Sequence, residues 1–187
     1  SKIGPIAQSD TSIITDGLIY NMDFSKFSCF PRTGTTVTDL EGSLTGTVLN
    51  GASFTSTEGR TRGSASQRDF DITGNGTNLL FAVSNGSSYV VNISATYPSL
   101  NVWHHLVCMW DGTTNSNGAK MFLDGDVFAQ GTATATSFAT GDNIFIGANR
   151  SGFMFNGPIA VTRFYNRSLS ADEVFINYNA LKKRFGL

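Results

Sequence analysis

The sequence predicts an all-β fold: an antiparallel sandwich of the jelly-roll kind, closed by one short helix at the end of the sequence. Three observations carry that prediction. Charged residues make up 14% of the 187, against about 25% in ordinary globular chains, and glycine is high at 20. Asn, Ser and Thr are abundant as well, which is the composition of short strands and many turns. Asn-Gly and Asp-Gly pairs punctuate the chain, at Asn50, Asn75, Asn85, Asn117 and Asn156 and at Asp16, Asp111 and Asp124. Helical periodicity follows only Ser170, where Glu173 supplies capping-box spacing. The length suits one domain with a substantial core.

In chain order, residues 1–15 contain Gly4-Pro5 and read as an extended arm, with residues 16–187 forming the single domain. The apolar residues of the arm, Ile3, Ile6, Ile13 and Ile14, suit a segment that lies across a neighbour as an added strand. Strands are predicted over 18–24 and 45–49. The interval 55–78 is polar, with Phe70 and Ile72 as its only large apolar residues, so no strand is placed there. Residues 79–84 and 87–91 flank Asn85-Gly86 as a hairpin, and 120–123 and 126–129 flank Asp124-Gly125 as another. Runs at 103–110, 143–146 and 159–165 complete the strands, the last reading as apolar on both faces. The helix, about 171–183, should bury Val174, Tyr178 and Leu181 against a sheet. Lys182, Lys183 and Arg184 fall at its end, where cations suit the negative end of the dipole better than they signal a phosphate site.

A net charge of −1 provides no basic field for nucleic acid, and no apolar run reaches the roughly 18 residues of a membrane span. The first residues, SKIGPIAQSD, lack the charged-then-apolar pattern of a secretory signal. Cys108 lies in an apolar run and reads as a buried thiol before it reads as a disulfide partner of Cys29.

Glycoside hydrolysis needs two carboxylates facing each other across a sugar. Glu41, Glu58 and Glu173 are the only glutamates, and none sits in an E-x-D-x-E type strand motif; Asp69-x-Asp71 and Asp124-x-Asp126 fall in a polar tract and across a turn. No catalytic residue is predicted. His104 and His105 are adjacent on a strand, so they point to opposite faces and do not share a metal. No G-x-S-x-G elbow supports a serine nucleophile. No cofactor is called for; if one binds it is calcium, for which Asp69, Asp71, Asp142 and Asn143 supply hard oxygens in loops without a fixed spacing. Arg150, Phe153 and Phe155, in NRSGFMFNG, suit contact with a glycan or a partner. Phe155 opening the last strand as a core residue is the other reading.

WHHLVCMWDG (103–112), MFLDGDV (121–127), IFIGAN (144–149) and FNGPIAVTRFYNRSLSADEV (155–174) together resemble the laminin-G-like, concanavalin A-like jelly roll. The closing pattern G-x-I…R-x-Y-N-R-x-L-S-x-x-E is its most specific part. IITDGLIYNMDF, TGTTVTDLEGS, GTVLNGASF and the ending YNALKKRFGL are similar to such domains in structural proteins of tailed bacteriophages. The resemblance covers residues 13–54 and 79–187. Family members place an F-x-G-x-D-x-Y/I strand and an I-x-x-W strand where this chain has only 55–78, so the sheet is expected to lack one or two strands.

The resemblance implies a non-enzymatic virion protein, a capsid decoration or head-fibre subunit on the particle surface that contacts other virion proteins and copies of itself. The alternative it implies is a carbohydrate-binding adhesin that attaches to host surface glycans.

Overall fold

The computed structural model describes residues 12–24, 26, 28–29, 35–42, 44–47, 70–74, 76–138, 146–147, 155 and 157–187. In chain order the strands are β1 Leu18–Asp23, β2 Thr36–Thr38, β3 Thr45–Thr47, β4 Phe70–Gly74, β5 Asn78–Ser84 and β6 Tyr89–Thr96. Then come β7 Leu106–Trp110, β8 Ala119–Leu123, β9 Asp126–Gly131 and β10 Val161–Tyr165, followed by the helix α1 Ala171–Phe185. Every strand pairing among the described residues is antiparallel: β1 with β10, β2 with β3, β4-β5-β6, and β7-β8-β9. The architecture is the predicted β-sandwich with one short helix.

Alternation along β7 and β8 explains the layering. Leu106, Cys108 and Trp110 of β7 and Ala119 and Met121 of β8 face the buried side chains of β5 and β6, including Phe81, Val83, Val91 and Ile93. Val107, Met109 and Phe122 take the opposite side and pack with Leu169 and Val174 under α1. A sheet covered on both faces needs apolar residues at consecutive positions, as LVCMW provides. A third cluster, Met22, Cys29 and Val37, sits between β1 and β2. Cys29 and Cys108 are free thiols, and burial pushes the Cys108 thiol up to about 12.

The two hairpins differ. At Asp124-Gly125 both residues have positive φ, 53° and 95°, as a type I′ turn requires. A Cβ at Gly125 would come 3.0 Å from both Phe175 and Tyr178, so the turn needs glycine twice over. Asn85-Gly86 is a longer loop: Asn85 Oδ1 accepts the N–H groups of Ser87 and Ser88, and only Gly86 has positive φ. The asparagine side chain organises that turn together with its own N–H, which donates to Ser88 O at 3.0 Å.

Several expectations are corrected. The polar interval is not strandless, because its end forms β4, paired with β5 from Phe70↔Val83 to Gly74↔Leu79. Of the strands expected to be missing, one is therefore in place. β4 lies at the edge of its sheet among the described residues and exposes Phe70 (41%) and Ile72 (46%), which is why its composition is so polar. The last strand starts at Val161 and carries a half-buried Arg163, so it is not apolar on both faces. Strand β7 begins at Leu106, after the histidines. On α1, Val174 is fully buried but Tyr178 and Leu181 are half-buried, and the other buried position is Asn177. Of the run 143–146 only Ile146 lies within the described residues.

Candidate functional site

Strand alternation puts Tyr20 and Met22 on the apolar side of β1 and turns Asn21 and Asp23 toward α1. On β10, Arg163 stands directly across from Asn21, and Tyr165 shares its face. The surface that the β1–β10 ladder offers to α1 is therefore polar, and the helix answers it with polar groups. Asn177, buried at 3%, donates from Nδ2 to Tyr165 Oη at 3.1 Å and accepts the Ile14 N–H at 2.8 Å. Tyr165 Oη donates to Ile14 O at 2.9 Å. Arg184, in the last turn, grips the buried Asp23 with both nitrogens, Nη1 to Oδ2 at 2.6 Å and Nη2 to Oδ1 at 2.9 Å. Its cluster with Lys182 and Lys183 thus does more than complement a dipole.

Between Ser12–Thr15, β1, Leu40, β10 and the last turns of α1 lies an open groove of about 540 Å³. Lys26, Arg163 and Arg184 bring three cations to it against one carboxylate, Asp23. Arg163 donates from Nε to Asn21 Oδ1 at 3.1 Å, and its Nη groups make no hydrogen bond or ion pair among the described residues. Burial lowers the Arg163 pKa and the nearby Arg184 charge adds to that, while Tyr165 and Asp23 oppose it. Behind Asn21, Asp39 accepts the N–H groups of Asn21 and Glu41.

The histidines part as expected. His104 Nδ1 lies 2.7 Å from Asp124 Oδ2, and Asp124 Oδ1 accepts the His105 N–H. His104 Nε2 is 2.9 Å from Ser99 O and 3.2 Å from Ser99 Oγ. The His104 ring thus ties Asp124 of the hairpin to Ser99. On the other side, burial and the Arg163 charge hold the His105 pKa down at about 4, so this ring is neutral near pH 7.

Of the residues singled out from sequence, Ile3, Ile6, Asp69, Asp142, Asn143, Arg150 and Phe153 lie outside the described residues. Phe155 is 55% exposed and outside any strand, so it is not the core residue that opens β10. Ile13 and Ile14 are half-buried, and Ile14 joins the cluster beneath α1. Asp71 sits on β4, and no three His, Cys, Asp or Glu side chains converge among the described residues. Sequence reasoning missed Asn21, Asp23, Arg163, Asn177 and Arg184. An arginine in the middle of a strand read as covered on both sides was the available signal, because such a charge demands partners.

A family model described as concanavalin A-like lectin/glucanases superfamily matches residues 44–175. No curated protein and no solved structure matches the chain. The matched span holds β3 to β10 and the first turn of α1 but, of the groove's side chains, only Arg163.

Proposed function

Because the chain belongs to the concanavalin A-like lectin/glucanases superfamily, we propose that it works by binding and not by catalysis, as a structural subunit of a tailed-bacteriophage particle. In this reading it decorates the capsid or forms part of a head fibre, through contacts with other virion proteins and with its own copies. The observation that carries the reading is the apolar pair Phe70 and Ile72, exposed on β4, an edge strand among the described residues. An exposed apolar edge is a liability in an isolated protein and an asset in an assembly, where a neighbour's extended segment covers it. Residues 1–12, with Ile3 and Ile6, supply such a segment. Two-fold or three-fold closure is the default symmetry. The likeness of IITDGLIYNMDF and YNALKKRFGL to virion proteins gives the setting.

The test is deletion of residues 1–12, which leaves Ile14 and its bonds to Asn177 and Tyr165 in place. The truncated chain should fold yet no longer assemble or occupy particles. Full occupancy by the truncated chain would overturn the reading.

A second reading, a carbohydrate-binding adhesin on the particle, is favoured by the polar groove and by the exposed ring of Phe155. Binding on a glycan array separates it from the first.

A further inference from the structure

The groove beside α1 has an unusual charge arrangement. Asp23 is its only carboxylate among the described residues, and Arg184 occupies both of its oxygens. Among the described residues Arg163 is held in place through Nε alone, and the two Nη groups of its planar fork have no partner. A half-buried guanidinium in that state carries a desolvation cost that a carboxylate would relieve, and the fork matches a carboxylate bidentately. Around it stand hydroxyls of Ser12 and Thr15 and the apolar surfaces of Leu40 and Leu181. At Asn21 the backbone offers nothing for an incoming chain: its N–H is taken by Asp39 Oδ1 and its C=O by the Leu40 N–H. That disfavours a peptide added as a strand and favours a compact ligand read by side chains. The space, about 540 Å³, is in the range of small-molecule sites.

We propose that this groove binds a carboxylate-bearing sugar, a uronic-acid residue of an acidic polysaccharide, with its carboxylate on the Arg163 fork. Its hydroxyls face Ser12, Thr15 and Asn21, and its C–H face lies on Leu181. The proposal rests on the carbohydrate-binding reading and gives it a substrate class and a place. The site differs from anything the family match covers, since its other side chains lie outside residues 44–175.

The experiment is calorimetric titration of the full chain with an oligogalacturonate, a neutral galactose oligosaccharide of equal length, and a hexaglutamate peptide. The oligogalacturonate alone should bind, more weakly as salt is raised. Arg163→Lys keeps the charge but loses the fork, and should weaken binding about tenfold. Lys26→Gln, on an exposed turn, should weaken it about threefold through lost attraction alone. If Arg163→Lys fails to fold by circular dichroism, Lys26→Gln carries the decision. Equal binding of the neutral sugar would overturn the groove assignment and leave the carbohydrate reading standing. Equal binding of hexaglutamate would overturn the sugar class. No binding of either sugar, with a silent glycan array, would overturn both.

Discussion

At the first turn of α1, Arg167 gives Nη1 to Ser168 O and Glu173 Oε2 and Nη2 to Glu173 Oε1, and sets Nε 2.8 Å from Asp16. At the far end, Arg184 is fully engaged with Asp23, but its neighbour Arg163 uses one donor only. The first end is closed electrostatically. Glu173 also accepts the Ser170 N–H, and the Arg167 and Ser170 bonds hold its carboxyl at about 2, far below the usual range. The second end is built with the same chemistry but left with donors unspent. The difference teaches which cations are scaffold: one that grips a carboxylate within the fold through both Nη groups holds the fold, and one whose Nη groups find no partner among the described residues faces something else.

Removing Asp23 should break this contrast most severely. Asp23→Ala strips Arg184 of two charge-assisted hydrogen bonds and should cost about 3 kcal/mol in denaturant unfolding. A loss no larger than at the capped end would mean that the two ends are equivalent.

Acid should expose the same asymmetry, because His105 lies near Arg163. Its folded pKa of about 4 is below the ordinary 6.5, so the unfolded chain binds the proton more readily. Stability from this group is fully present above about 6.5 and is lost as pH falls toward 4, by about 2 kcal/mol once the ring's partial exposure is allowed for. Denaturant titrations at pH 7 and pH 4.5 should show that loss, and His105→Gln should remove most of it. An unchanged pH dependence in the variant would place the proton elsewhere.

Leu181 lines the groove and is half-buried, whereas Val174, near the capped end, is fully buried. Leu181→Ala should therefore cost about 1–2 kcal/mol, less than a fully buried leucine would. A loss above about 3 kcal/mol would show that the groove is closed in solution. The smallest effect belongs to the cap: Ser170→Ala removes the oxygen that accepts the Glu173 N–H and should cost about 1 kcal/mol, without altering oligogalacturonate affinity.

Much of the fold was legible because it rests on local rules. Asp124-Gly125 fixed a hairpin through backbone sterics, Ser170 and Glu173 fixed a helix start, and the apolar run in 103–110 marked a strand. β4 was illegible because an exposed edge strand has little apolar content to read, and FDITG offers only Phe70 and Ile72. The groove was illegible for a different reason. Arg163 meets Asn21 across 142 positions and Arg184 meets Asp23 across 161, and no local pattern encodes such a meeting. Only the presence of Arg163 inside a strand pointed to it.

The pairing of β1 with β10 also sets a clock on synthesis. At 5–20 residues per second, roughly 7–28 s separate the emergence of Asp23 from that of Val161. Through that interval β1 has no partner strand, and the Val107, Met109 and Phe122 side of the middle sheet lies bare because α1 has not been made. Closing so long a loop is slow, and the unpaired edges invite association with other nascent chains. Chaperone protection and translation pauses should therefore matter most before β10 and α1 have left the ribosome, and least after them.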